Sequence, residues 1–131
     1  MSFKIKRLEK QDETALFDLI RSEGEEWGDY SRDGEAVKKY TNALNNCAVY
    51  VGYDGDALCG FIRARDDYGY GVYIFDLLVH KKHRGNSYGR RLIERVCADF
   101  SGAVYVMSDV DEYYAKQGYN KIEGRIIVVR K

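Results

Sequence analysis

The 131-residue chain contains no proline, so its 13 glycines must supply most of its turns. Net charge is missing too: 21 Lys and Arg balance 21 Asp and Glu. A protein whose main task is to hold nucleic acid or an anionic membrane leans on excess positive charge, so this balance argues against both. Cysteine is sparse. Cys47, Cys59 and Cys97 are odd in number, widely spaced and without a Cys-x-x-Cys pair. That pattern predicts buried reduced thiols rather than a disulfide framework or a zinc site. No run approaches the ~20 apolar residues needed to span a bilayer. The opening Met-Ser-Phe-Lys-Ile-Lys-Arg places charges where a secretory signal needs an apolar stretch. These absences predict a soluble, cytoplasmic protein with no membrane and no nucleic-acid partner.

What is present is globular in character: 45% hydrophobic, 14% aromatic and 32% charged residues. At this length folding buries roughly two-thirds of the unfolded surface, enough for a core without metal or disulfides. With no repeat, linker or low-complexity tract, residues 1–131 read as one domain. Phe3, Ile5 and Arg7–Leu8 predict a short strand, and Asp12 is placed to cap a helix with Ala15, Leu16, Leu19 and Ile20 at helical spacing. A polar stretch from Ser22 to Glu35 holds Trp27, the only tryptophan, and precedes a second helix carrying Ala36, Val37, Tyr40 and Leu44.

Strands then take over. Cys47–Tyr53 and Ala57–Arg65 flank Asp54-Gly55, a hairpin signal. Val72–Val79 is nearly all apolar, as expected of a central strand covered on both faces. A helix from Ser87 to Phe100 sets Gly89, Leu92, Ile93, Val96 and Cys97 on one side. Val104–Met107 is the next strand, Asp111–Gln117 a short helix and Lys121–Arg130 a final strand. Tyr73 and Tyr105 read as core residues. The order is β-α-α-β-β-β-α-β-α-β, an α/β chain in which strands 72–79 and 104–107 run parallel.

The loop between the apolar strand and the amphipathic helix carries the most information. It reads Val79-His80-Lys81-Lys82-His83-Arg84-Gly85-Asn86-Ser87-Tyr88-Gly89, and residues 81–95 hold six Lys or Arg against one Glu. Unpaired backbone N–H groups and the helix dipole at such a junction suit a phosphate. A solvated basic helix face with glycine as a plain turn residue explains the same pattern. The loop is neither a Walker loop nor a Gly-x-Gly-x-x-Gly dinucleotide loop.

It resembles instead the acyl-CoA loop of the GNAT superfamily of N-acetyltransferases, Arg/Gln-x-x-Gly-x-Gly/Ala. Here that pattern reads Arg84-Gly85-Asn86-Ser87-Tyr88-Gly89 after Leu77-Leu78-Val79, with Ser87 replacing the first patterned glycine. Further on, Tyr113-Tyr114-Ala115-Lys116-Gln117-Gly118-Tyr119 resembles the family's aromatic–Tyr–x–Lys–x–Gly–aromatic signature. The two motifs stand in order and at the family's separation, and the element order follows the family over essentially the whole chain. The resemblance implies a single-domain fold with a central mixed sheet, splayed parallel strands and flanking helices.

It also implies roles. The co-substrate is acetyl-CoA, with no metal. Backbone groups of Leu77, Leu78 and Val79 face its acyl group and pantetheine arm, and N–H groups of Arg84, Gly85, Asn86, Ser87, Tyr88 and Gly89 hold its pyrophosphate. Asp109 lies near the pantetheine amides. Ser87 either crowds the phosphate or caps the helix and donates its hydroxyl; its good capping character favours the second. Tyr114 protonates the departing thiolate, unless it is an ordinary packed tyrosine. The base that takes the amine's proton is Asp76, a carboxylate inside an apolar strand, or Glu25 or Glu26; Asp76 is otherwise a hydrogen-bonded residue facing away from the cleft. Residues 22–35 hold six acidic residues against Arg32 alone, and the resemblance sets this stretch on the acceptor side. A cationic amine suits it, through charge and a cation–π contact with Trp27, although a solvated acidic loop has the same composition.

The expected activity is transfer of acetyl to a primary amine, of a small molecule or a protein, by direct attack; a homodimer stays open. Two rivals share the loop: a non-catalytic acyl-CoA-binding or sensing module, and a small nucleotide-binding protein. His80 and His83 lack a third ligand for zinc, and Asp109, Asp111 and Glu112 lack a calcium loop, so no metal site is predicted.

Overall fold

A computed structural model of the chain describes residues 2–108, 111–122 and 127–130. Strand β1 (Phe3–Arg7) leads to helix α1 (Glu13–Ser22), a 3-10 turn at Gly24–Tyr30 and helix α2 (Gly34–Asn45). Strands β2 (Ala48–Asp54), β3 (Ala57–Asp66) and β4 (Val72–Val79) follow, then α3 (Tyr88–Asp99), β5 (Val104–Val106) and α4 (Asp111–Ala115). Spatial order equals chain order, β1-β2-β3-β4-β5. The first three pairings are antiparallel and β4–β5 is parallel, as the α3 crossover requires.

Local signals explain most of these elements. Gly55 turns the β2–β3 hairpin at φ 62°. Asp33 caps α2, its carboxylate accepting from the Ala36 N–H at 2.8 Å. Helix α1 differs from expectation: Asp12 makes no side-chain cap bond. Its carboxylate is buried and accepts instead from Lys6 Nζ, the Glu9 N–H and the Tyr53 hydroxyl.

The sheet has two apolar faces. Leu92, Ile93 and Val96 of α3 pack with Phe3, Tyr50, Ile62, Val72 and Ile74 on one. Leu16, Phe17, Leu19 and Ile20 of α1 and Tyr40 and Leu44 of α2 pack with Val49, Val51, Phe61 and Leu78 on the other. Strand β4 changes allegiance midway. Ile74 pairs with Ala64 and Asp76 with Arg63, which leaves Phe75 as an extra, bulged residue. A strict alternation would keep Ile74 and Leu78 on one face. The single added residue reverses the parity, so Asp76 and Leu78 turn toward α1 and α2.

Three expectations need correction. Cys97 is exposed, because it falls past the buried stripe of α3, and only Cys59 is a buried thiol. Tyr105 is exposed too, stacked on Tyr73 across the β4–β5 register rather than sunk in a core. Of the expected final strand, Lys121, Ile122 and Ile127–Arg130 are in no strand, and 123–126 lie outside the described residues. Asp109 lies outside them as well. Among the described residues no helix is long and apolar enough to cross a membrane.

Candidate active site

The opening between β4 and β5 follows from their lengths. The strands pair only at Val72–Val104, Tyr73–Tyr105 and Ile74–Val106. One further bond, Met107 N–H to Ile74 O at 3.0 Å, ends the ladder at the bulge. From Phe75 to Val79, no strand among the described residues pairs this edge of β4. Its backbone groups therefore need other partners, and an extended amide-bearing arm can supply them. Leu77 and Val79 pack toward α3 while Leu78 is buried toward α1, so the expected trio lines both walls at the mouth of this gap.

The basic loop closes the end of the gap. His80 extends β4 by one bond to Cys59 O, and a 3-10 turn at Lys81–His83 follows. Gly85 then takes φ 89° and Ser87 φ 64°, both left-handed. The backbone N–H groups of Ser87 to Gly89 make no loop hydrogen bond among the described residues, as expected of the first turn of a helix. The residues present thus fit a pyrophosphate: N–H groups at a helix N-terminus, and at Gly85 a backbone with open space around it. A Cβ at Gly89 would run into the Tyr113 hydroxyl, which lies against this turn.

The side chains of the loop point away from that cradle. Asn86 Nδ2 donates to His83 O at 3.2 Å. Tyr88 stacks on Phe3 at 3.8 Å and donates to Asp54 at 3.1 Å. Arg84 Nε donates to Val79 O at 2.9 Å, and its Nη2 pairs with Glu23 Oε1 at 2.7 Å. Ser87 makes no side-chain cap bond, contrary to expectation, because the left-handed backbone turns its Oγ out of reach of the helix N–H groups. We expect Ser87→Gly to be more stable by about 0.5 kcal/mol, about 1 kcal/mol of relieved strain less the added chain entropy. Chemical denaturation reads this directly, and a loss of stability would show the hydroxyl to be bonded in the folded protein.

Asp76 sits on the opposite wall. It is buried and accepts from Tyr40 Oη at 2.5 Å, Arg63 Nε at 2.5 Å and Tyr30 Oη at 3.3 Å. Burial first, and then the Asp76 charge, push both phenols above their ordinary range, so they stay donors at any working pH. Burial works against the Arg63 charge, but the bond to Asp76 outweighs it and raises its pKa. The carboxylate is thus hydrogen-bonded as a packed residue would be. Arg63, Tyr30 and Tyr40 were absent from the sequence-level candidates; the signal available was Arg63 and Asp76, opposite charges inside adjoining apolar strands. Tyr30 also ties the Gly24–Tyr30 turn to β4, and Trp27 of that turn lies 5.5 Å from Tyr30 and 6.1 Å from Phe61. Glu25 and Glu26 are exposed on the same turn, Glu25 facing Arg32 at 3.6 Å. Tyr114 is half-buried against the α3-side core, its ring edge-on to Tyr113 at 5.0 Å. Among the described residues no group of three His, Cys, Asp or Glu is placed to hold a metal.

A five-stranded sheet that opens at a bulge, with a phosphate-suited turn at the mouth, defines a CoA-dependent acyltransferase fold. Comparison with known proteins agrees. The model of the acetyltransferase (GNAT) family matches residues 13–119, and the chain belongs to that family. It is an acyltransferase that takes its acyl group from CoA. Its fold is similar to that of a GNAT-family acetyltransferase from Streptococcus pneumoniae, at 22% identity and TM-score 0.71, covering 99% of this chain and 100% of that one. An aminoglycoside acetyltransferase from an uncultured soil metagenomic sample aligns at 18% identity and TM-score 0.74 over 100% of both chains. The PaiA N-acetyltransferase of Thermoplasma acidophilum, solved in complex with coenzyme A, aligns at 17% identity and TM-score 0.73 over 94% of this chain and 92% of that one. No curated protein sequence matches the chain.

Proposed function

We propose that this acyltransferase moves acetyl from acetyl-CoA to a primary amine by direct attack, and that the preferred amine is cationic. The carrying observation is the arrangement of charge. The acidic 22–35 stretch is pinned beside β4 through the Tyr30–Asp76 bond and meets the basic turn at 81–89 through the Glu23–Arg84 pair. Acetyl-CoA supplies the activated thioester: the new C–N bond forms as the C–S bond breaks. N–H groups of Arg84 to Gly89 hold the pyrophosphate, and the free edge of Leu77 to Val79 aligns the arm. An N–H at Val79 meets the carbonyl oxygen as it gains charge.

An alkylamine with a pKa near ~10 arrives protonated, so a proton must leave before attack. Glu26, exposed on the acceptor-side turn, takes that proton directly or through water. Asp76, already held by three donors, fixes the wall against which the acceptor lies. Tyr114 gives its proton to the departing thiolate. A cytoplasmic setting fits the free thiols Cys47, Cys59 and Cys97.

The test is a panel of amines. Lysine-like and polyamine-like acceptors should show the highest kcat/KM, and raising salt from 0.05 to 0.5 M, which shortens the screening length several-fold, should raise their KM by about tenfold. Charge reversal at Glu25, which leaves the base Glu26 in place, should weaken cationic acceptors selectively. Best turnover with neutral or acidic amines, without salt dependence, would refute the acceptor class.

A further inference from the structure

Glu23, the last residue before the Gly24–Tyr30 turn, has a side chain only 5% exposed. One oxygen, Oε1, accepts from Arg84 Nη2 at 2.7 Å. The other, Oε2, is shut off from solvent and has no hydrogen-bond partner among the described residues. A carboxylate oxygen left so is costly, because burial removes the water that would otherwise satisfy it. Arg84 in turn donates to Val79 O at 2.9 Å. Glu23 therefore stands one guanidinium away from the end of β4, between the CoA turn and the acidic stretch.

We infer that Glu23 Oε2 is the docking point for the acceptor's ammonium group, held in place by Arg84 of the CoA turn; this rests on the transferase reading above. Chemistry selects the ligand. The vacant lone pairs need a hydrogen-bond donor, and a primary ammonium brings three N–H groups with a charge that a neutral donor lacks. The Glu23–Arg84 pair is neutral overall, so an entering ammonium leaves a surplus positive charge beside the turn that receives the pyrophosphate. Bound CoA offsets that surplus, and the two substrates bind cooperatively. Because Oε2 is shut off from solvent, docking requires a local opening, and Gly24 beside it, left-handed at φ 79° with open space around it, is the joint with the most freedom.

The experiment is steady-state kinetics and calorimetry on Glu23→Gln, with n-butylamine, lysine and spermidine as acceptors. Glutamine keeps an oxygen for Arg84 but sets an N–H₂ donor where the ammonium would dock. We expect amine KM to rise at least about tenfold, equivalent to 1.4 kcal/mol, while the CoA Kd does not rise and the melting temperature holds. Glu23→Asp, which keeps the charge and shortens the reach, should raise amine KM less, and it serves in place of the glutamine variant if that variant does not fold. In wild type, amine KM should fall as acetyl-CoA approaches saturation. Unchanged amine KM in the variants of an active enzyme would overturn the inference and leave the transferase reading standing. A loss of CoA affinity with unchanged amine KM would overturn it too, making Glu23 only a brace for Arg84. A wild-type protein that binds acetyl-CoA but acetylates no amine would instead overturn the transferase reading beneath it.

Discussion

Gly89→Val is expected to cost about 100-fold in CoA affinity while the protein stays folded. Gly89 lies in the first turn of α3 with ordinary helical backbone, so the valine backbone is allowed there and its helix propensity is slightly better than glycine's. Space is the difficulty. A Cβ at this position already meets the Tyr113 hydroxyl, and the Val79 side chain lies just beyond. Tyr113 is exposed and can swing clear, which protects stability. The added methyls then occupy the volume through which a phosphate oxygen approaches the N–H groups of the turn. Losing one or two charge-assisted hydrogen bonds at about 1.5–3 kcal/mol each corresponds to roughly 100-fold. Titration calorimetry with CoA gives the answer, and unchanged affinity would remove this turn from the binding site. Gly85 is the poorer probe, because at φ 89° any side chain strains the backbone whether or not CoA binds there.

The strand–turn–helix unit was legible because its signals are local. An unbroken apolar run, a charged glycine-bearing turn and a helical stripe each fix their own element, and the observed β4 and α3 fall where those signals place them. The bulge at Phe75 was not legible. Nothing in Val-Tyr-Ile-Phe-Asp-Leu-Leu-Val marks which residue is extra; that is decided by the register against β3. Yet this one residue turns Asp76 toward Tyr30, Tyr40 and Arg63, and so converts an apparent free carboxylate into a satisfied one. Glu23 was hidden for a related reason. In sequence it is one acid among six, and only the fold of α1 against the turn at Arg84 buries it while its neighbours Glu25 and Glu26 stay in solvent. Ser87 misled in the opposite direction: its capping propensity is real, but the turn needs a left-handed residue there, and backbone geometry prevails.

Tyr114→Phe is expected to lower kcat about 100-fold and leave the CoA Kd within about twofold, the usual range for removing a general acid. A phenol is an acid weak enough to keep its proton at neutral pH and strong enough to hand it to a thiolate as it leaves. Removing only the oxygen keeps the ring that packs against the α3-side core, so the fold and the CoA turn should be undisturbed. Tyr113 is the necessary control. Its hydroxyl, not that of Tyr114, lies against Gly89, which puts it beside the turn proposed to hold the pyrophosphate. Tyr113→Phe should therefore act on CoA affinity if it acts at all, with kcat nearly intact. The two variants separate a proton donor from a wall of the binding site, since one moves kcat and the other Kd. A thioester whose leaving thiol is more acidic needs less help from an acid, so an acyl donor with an electron-poor thiol should restore much of the lost rate in Tyr114→Phe. Equal kcat losses in both variants, or no rescue by the better leaving group, would move the acid to another residue.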